Sequence, residues 1–517
     1  MEKLIQSIVI VGGGSAGWIT AGTIAAKLKT DGAKGVSVTL VESPNIPIIG
    51  VGEGTWPTMR KTLKRMGIRE TDFIRNSHVS FKQGARFNGW ATGKSDDGYY
   101  HPLILPQGYF DINLAPHWLE DGAGLAFASA VCPQADLCDR GLAPKLITTP
   151  EYAGIANYAY HLDAGAFAGF LRDHCISQLG VRHVLDDVTG VNAHEDGDIA
   201  SVATKTSGDI AGDLFIDCSG FKSLLLGQHF GVPFRSCKDV LFIDTALAAH
   251  APYESDDSPI LSHTLSTAQT SGWIWDVALP SRRGTGHVYS SAHISDTKAE
   301  AQFRDYLRPT VKNVDALEFR KISINAGRRE TFWERNCVGV GLASGFLEPL
   351  ESSALLLIEI AAGHIANQMP ATRSTMDIVA KRYNRTFLYH WERIVDFLKL
   401  HYVLSERTDS DFWIDNRHPA SVPESLQELL ELWKYHQPWH DDFERAIEVF
   451  PAASYQYVLY GMGFKPQASH LGISESSRRE ARDLFRFNAD ETRQMVTKLP
   501  TNRELIDKIH QYGLQRV

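Results

Sequence analysis

The β-branched run Ser7-Ile8-Val9-Ile10-Val11 passes straight into Gly12-Gly13-Gly14-Ser15-Ala16-Gly17. That junction restricts the fold more than any other stretch. A short apolar run of this kind reads as a strand buried on both faces in a parallel sheet. Gly12, Gly14 and Gly17 match G-x-G-x-x-G, and an alanine-rich helix is expected from about Trp18 to Leu28. A second strand, Val36 to Val41, closes in Glu42. Strand, glycine turn, helix, strand and terminal acid together form the context of a dinucleotide-binding unit. Gly12 permits the tight turn, Gly14 lets backbone approach a pyrophosphate, and Gly17 lets helix pack on sheet. Ser15 and Ala16 belong to the same turn, and Glu42 would accept hydrogen bonds from ribose hydroxyls.

Further along, Ala211 to Gly220 reads as a strand running into Asp217 and a glycine turn. An ordinary strand ending in an Asx-turn is one account of it. The stretch also resembles the second FAD motif of flavoprotein monooxygenases, in which an acid meets the ribityl chain. Paired with the first motif it favours FAD over NAD. Between the two lies Ile48-Ile49-Gly50-Val51-Gly52-Glu53-Gly54-Thr55-Trp56-Pro57, too glycine-rich for a helix and too apolar for a plain surface loop. It reads as a mobile strap against a cofactor, which brings Val51 and Gly52 into the candidate site.

The chain is 517 residues long, enough for two or three cores around a large cofactor. With 43% hydrophobic and 22% charged residues it has the composition of a soluble globular protein. A net charge of −9 argues against nucleic acid or an anionic membrane as the main partner. Six scattered cysteines without a C-x-x-C pair argue against a disulfide framework or structural zinc, and no metal site is expected. Ile8 to Val11 is too short to span a membrane, so a cytoplasmic location is expected.

The middle of the chain supplies further elements. Ser80 to Phe87 alternates as one strand, with Phe81, Ala85 and Phe87 on one face and Lys82 and Arg86 on the other. Tyr158 to about Leu179 reads as a helix capped by Asp163, followed by strands to about Thr204. Trp273 and Trp275 stand at strand spacing and share a face, as a core pair would. Val338 to Leu342 is another buried strand, leading into Gly345-Phe346-Leu347-Glu348-Pro349-Leu350-Glu351-Ser352-Ser353-Ala354 and the apolar run from Leu355. This last stretch reads as a loop that opens a helix at its hydroxyl pair, an ordinary cap by default. A helix start also suits a small anion, and Glu351 beside it could accept a proton. Beyond about Thr372 apolar residues recur at helical spacing. The expected fold is α/β (α+β overall): a Rossmann-like FAD-binding domain of the flavin monooxygenase type with a mostly helical C-terminal region. The expected division is 1–371, with substrate-side segments at roughly 80–160 interleaved, and 372–517.

These motifs, in this order, resemble the flavin-dependent halogenases of the tryptophan-halogenase family over nearly the whole chain. The likeness rests on Gly12-x-Gly14-x-x-Gly17, the Gly50 to Thr55 strap, Phe81-Lys82, Trp273-x-Trp275, Glu348 to Ser352, and Phe397-Leu398-x-Leu400-His401-Tyr402. The resemblance implies FAD used as FADH2 from a separate flavin reductase, with chloride or bromide oxidised to hypohalous acid. Lys82 would hold that reagent by hydrogen bond or as a haloamine, which requires a desolvated amine. Glu351 would assist transfer and take the ring proton, and Ser352 would lie between the two sites. Ser353 and Ala354 would hold halide through backbone N–H groups, with Leu342 and Ala354 also bordering the cofactor.

Trp273 and Trp275 would keep organic substrate from the flavin. The resemblance departs at Val277 and Ala278, where the family has isoleucine and proline, and at Ala354, where glycine is common. Alanine would be strained at Ala354 if the position required a positive φ. His101, Leu103, Phe450 and Tyr455 would line the substrate pocket. Leu103 replaces an expected phenylalanine, and the tryptophan expected near Val449-Phe450-Pro451 is missing, so another indole or electron-rich arene stands beside free tryptophan as substrate. The resemblance allows a homodimer. A flavin-dependent aromatic hydroxylase and a non-catalytic flavin-binding protein are the alternative readings.

Overall fold

Residues 4–30, 32, 35–46, 52–122, 124–467 and 473–516 are described in the computed structural model of the chain. Val51, with the strap residues Ile48, Ile49 and Gly50, lies outside the described residues. Two compact units divide the chain. The first comprises Met1–Val79, Leu162–Cys237 and Asn325–Trp391; the second comprises Ser80–His161, Lys238–Ile324 and Glu392–Val517. The division falls inside one 31-residue helix, Arg373–Val403, so the first unit runs on to Trp391.

In the first unit, the apolar run Ser7–Val11 has the doubly covered character expected and becomes an interior strand. The sheet order is Trp333–Glu334, Cys337–Gly339, Leu214–Asp217, Ser7–Val11, Ser37–Glu42, Arg182–Leu185. All neighbours are parallel except the first pair. Val11 stands opposite both Asp217 and Val41, so the glycine turn, Asp217 and Glu42 emerge together at the carboxyl ends of adjacent strands. Helix Ser15–Thr30 packs on helices Ala164–Leu179 and Ser353–Asn367. This is the α/β, Rossmann-like architecture expected from the opening motif.

Two glycines make the turn possible. Gly12 has φ +119°, and a Cβ there would lie 2.2 Å from the Cys218 carbonyl oxygen. A Cβ on Gly17 would lie 1.9 Å from the Gly12 carbonyl oxygen. Helix and strand therefore touch backbone to backbone.

The second unit is built on a seven-stranded, mainly antiparallel sheet. Its order is Arg320–Ser323, Thr245–Pro252, Arg282–Tyr289, Gly272–Ala278, Thr264–Gln269, Gly84–Asn88, Gly98–Pro102. Helix Ala452–Gly461 is buried from Ala452 to Tyr460 and packs on the last strand. Burial on every side is that of a core helix.

Three expectations are corrected. Ser80 to Phe87 is not one strand but two, Ser80–Lys82 and Gly84–Asn88, in different sheets. The break is at Gln83, whose N–H donates to the Ser262 carbonyl and whose Nε2 donates to the Leu142 carbonyl, each at 2.7 Å. The segment read as a helix from Tyr158 begins instead as strand Ala159–Asp163; helix Ala164–Leu179 then starts at the expected cap, Asp163, which accepts from Ala166 N–H. Val338 to Leu342 is strand only to Gly339 and continues as a tight turn, Gly341–Ala343. Among the described residues, no helix is long and apolar enough to cross a membrane.

Gly17→Ala is expected to force helix Ser15–Thr30 off the turn, at a cost of about 1–3 kcal/mol or more. Urea unfolding should show an earlier midpoint, and flavin titration a weaker affinity.

Candidate active site

The glycine turn of the first unit is open on one side only. A Cβ on Gly14 would meet nothing within 4 Å, whereas one on Gly12, Gly13 or Gly17 would strike protein. The open side adjoins Ser15, Ala16 and Gly17, whose N–H groups head a 16-residue helix and lack intrahelical partners. Open space beside such a helix start fits a pyrophosphate. Glu42 closes the next strand, and its carboxylate lies over Gly13, where a Cβ would come within 2.2 Å of Glu42 Cδ. Glu42 Oε2 is 2.9 Å from His183 Nε2, which fixes the acid at the turn. Sequence reasoning found neither Gly13 nor His183 in these roles. The residues present therefore fit FAD.

Asp217 is fully buried, and its carboxylate shapes the second turn. Oδ1 accepts from the N–H and hydroxyl of Ser219; Oδ2 accepts from the N–H groups of Leu225 and Leu226 at 2.8 and 2.9 Å. Those bonds take up most of the carboxylate's acceptor capacity, so it acts by ordering the loop. Leu342 sits in the turn Gly341–Ala343, and a Cβ on Gly341 would lie 2.8 Å from Ala16 Cβ. This turn and the glycine motif are thereby in contact. Gly52 begins the described part of the strap, strand Gly52–Gly54.

Glu351 and Ser352 carry the local strain. Both are left-handed, with φ +62° and +56°. The left-handed region costs a residue with a Cβ roughly 1–2 kcal/mol, so such a pair persists only when its surroundings impose it. One restraint is visible: the Trp56 indole N–H donates to the Glu351 carbonyl at 2.9 Å. Trp56 belongs to the strap, and only its length and indole hint at the contact. The simple cap reading is corrected here, because Ser352 occupies the cap position of helix Ser353–Asn367 without a side-chain capping bond. Ser353 and Ala354 form its first turn, and neither has a positive φ, so alanine is unstrained at 354.

That helix also carries Glu359, 8% exposed, which accepts from the hydroxyls of Thr58 and Thr62 at 3.1 and 2.5 Å. Burial lifts its carboxyl to about 7 against the threonine bonds. Desolvation lifts Glu53 to about 7 as well.

In the second unit, Lys82 is 2% exposed, contrary to the solvated default for a lysine. It ends strand Ser80–Lys82, which pairs antiparallel with Ala159–Asp163. Ser80 Oγ donates to the Ala278 carbonyl at 2.5 Å, tying the lysine strand to the end of the tryptophan strand. That strand keeps regular register through Ala278 without the family's proline. Trp273 and Trp275 are both buried on it. Trp273 Nε1 donates to Tyr402 Oη at 3.1 Å. The Trp275 ring lies on Gly286, where a Cβ would be 2.1 Å from Cη2.

The same unit brings three expected substrate residues into one aromatic wall. His101 Nε2 is 2.9 Å from Ser454 Oγ, and its ring faces Phe397, Phe450 and Tyr457. Phe450 stacks on Phe397 at 3.9 Å between centroids, and Tyr455 meets Phe397 edge-on at 5.0 Å. Leu103 is held through its N–H to the Gln83 carbonyl at 3.0 Å, one residue from Lys82. Among the described residues, no cluster of three or more His, Cys, Asp or Glu could hold a metal.

A family model described as tryptophan halogenase matches residues 7–477. The chain is 34% identical to the tryptophan 6-halogenase SttH of Streptomyces toxytricini, over 96% of this chain and 97% of that one. The crystal structure of a tryptophan halogenase from Shewanella frigidimarina NCIMB 400 superposes with a TM-score of 0.97 at 48% identity, covering 100% of both chains. BrvH, a flavin-dependent halogenase from Brevundimonas sp. BAL3, superposes at 0.85 with 32% identity, covering 98% of this chain and 99% of that one.

Glu359 keeps its proton in the folded protein well above the ordinary carboxyl pKa of 4.5. Its contribution to stability is therefore complete below that value and lost as pH rises toward about 7. Glu359→Gln should flatten the fall in melting temperature between acidic and neutral buffers, measured by differential scanning calorimetry. An unchanged slope would contradict the assignment.

Proposed function

The chain belongs to the tryptophan halogenase family, and we propose that it uses FADH2, oxygen and chloride or bromide to halogenate an indole or related electron-rich arene. It is a flavin-dependent halogenating enzyme. When bound as FADH2 from a separate reductase, the flavin would activate oxygen for attack by halide. Gly12, Gly14, Ser15, Ala16 and Gly17 would hold the pyrophosphate at the head of helix Ser15–Thr30, and Glu42 the ribose. Val51 and Gly52 of the strap, the loop ordered by Asp217, and Leu342 would border the cofactor. Backbone N–H groups of Ser353 and Ala354, in the first turn of a helix, would bind halide against the positive end of the helix dipole.

Lys82 would take the oxidised halogen by hydrogen bond or as a haloamine. Its near-complete burial is the observation that carries this reading, because an interior amine keeps a reactive oxidant away from bulk water. Glu351 would accept the proton released when the ring is substituted, with its backbone carbonyl held by Trp56. Trp273 and Trp275, buried together on one strand, would bar the arene from the flavin. His101, Leu103, Phe450 and Tyr455 would seat the arene against an apolar wall. Leu103 and Phe450 leave fewer aromatic faces for an indole than the family pattern has, which sets another indole or electron-rich arene beside free tryptophan as substrate.

Two variants test the assignment. Lys82→Ala should abolish bromination of indole while flavin oxidation continues; persisting bromoindole would overturn the role of the lysine. Glu351→Gln should slow product formation by about 10²–10⁴-fold, the range for loss of a general base. Liquid chromatography with mass detection reads both.

A further inference from the structure

A second buried group stands beside Lys82. His161, in strand Ala159–Asp163, is fully buried and has no part in the chemistry proposed for Lys82 and Glu351. The antiparallel register places Ser80 opposite His161 and Lys82 opposite Ala159. Opposed residues point to one face, and alternate residues along a strand share it. Ser80, Lys82, Ala159 and His161 therefore occupy a single face, with Lys82 and His161 as a diagonal pair. Such pairs lie about 7–8 Å apart or somewhat less, within reach of a long side chain.

The ring is fixed at one end. His161 Nε2 is 2.8 Å from Thr264 Oγ1, whereas Nδ1 is buried with no hydrogen-bond partner among the described residues. Where Thr264 Oγ1 accepts from Nε2–H, Nδ1 presents a lone pair. That atom can accept from an ammonium N–H or from the O–H of a hypohalous acid.

Burial, and after it the surrounding charges, keep the imidazole neutral. Lys82 on the paired strand and His263 ahead of strand Thr264–Gln269 face it, with the Ala278 carbonyl at the end of the tryptophan strand. Burial first, and then Lys82 and His263, hold its pKa well below the usual value against that carbonyl. His263 is itself held down to about 4 by burial and Arg86, against Asp139 and the Cys138 backbone. Both imidazoles are thus neutral at working pH, and neither competes with Lys82 for positive charge.

We propose that His161 is a positioning residue for Lys82: locked by Thr264, its neutral ring gives the lysine amine a buried polar neighbour and fixes where the oxidised halogen is held. The proposal rests on the role given to Lys82 above. Without that neighbour the amine would be more strongly desolvated and would lose its proton at lower pH, and the ammonium that holds the reagent by hydrogen bond would go with it.

The test supplies FADH2, oxygen, bromide and indole together with a diffusible thioether that traps released oxidant. It reads the ratio of bromoindole to oxidised trap across pH. His161→Phe should lower that ratio at least fivefold and move its pH dependence down by about one unit; His161→Gln should restore most of both. Thr264→Val, which releases the ring at nearly constant volume, should lower the ratio about threefold and serves if the phenylalanine variant does not fold. Equal loss of both products, or ratios like the unmodified enzyme in His161→Phe or Thr264→Val, would overturn the proposal. Lys82→Ala run alongside separates the two ideas: bromoindole surviving there removes the lysine's role and this inference with it. Its loss there, with His161→Phe unaffected, removes this inference alone.

Discussion

Two consecutive residues with side chains, Glu351 and Ser352, held in the left-handed region are the constraint on which the functional end of the first unit depends. Together they cost about 2–4 kcal/mol, so something must impose them. Trp56 supplies one restraint through its bond to the Glu351 carbonyl, and helix Ser353–Asn367 supplies another by beginning at the very next residue. The two left-handed residues let the chain turn sharply into that helix while Glu351 stays buried. The same helix packs on Ser15–Thr30, whose head is the open glycine turn. The Glu351–Ser352 turn, the start of helix Ser353–Asn367 and the glycine turn are therefore set by one pair of packed helices.

The second unit meets a different constraint, a lysine inside an apolar interior. Burial of an amine is costly unless polar groups surround it. Here the lysine strand is tied to the tryptophan strand through Ser80, and a histidine shares the lysine's face. The aromatic wall of His101, Phe450 and Tyr455 belongs to the same unit. The lysine strand, the tryptophan strand and the aromatic wall thus all belong to the second unit, the lysine strand in a different sheet from the tryptophans, and the glycine turn belongs to the first.

What the sequence made legible follows from the range of the interactions involved. The glycine turn was readable because Gly12 and Gly17 act on each other across one turn. Asp163 was readable as a cap because its partner, Ala166, is three residues away. The break at Gln83 was not readable, since it comes from pairing with Ser262 and Leu142. Strand Ala159–Asp163 was not readable either, because its partner strand, Ser80–Lys82, lies far away in sequence. Trp56 and His161 carry no motif, and their partners lie 295 and 103 residues distant. The left-handed pair was not legible because neither residue is glycine, whereas Ala354, where the family commonly has glycine, is simply helical.

The measurement that most directly tests the assigned chemistry is the product mass from the unmodified enzyme with FADH2, oxygen and indole, with and without bromide. Bromide should yield a product in which one bromine replaces one hydrogen, and its omission should yield none. A product gaining one oxygen, formed equally without halide, would contradict the account and make the protein a hydroxylase.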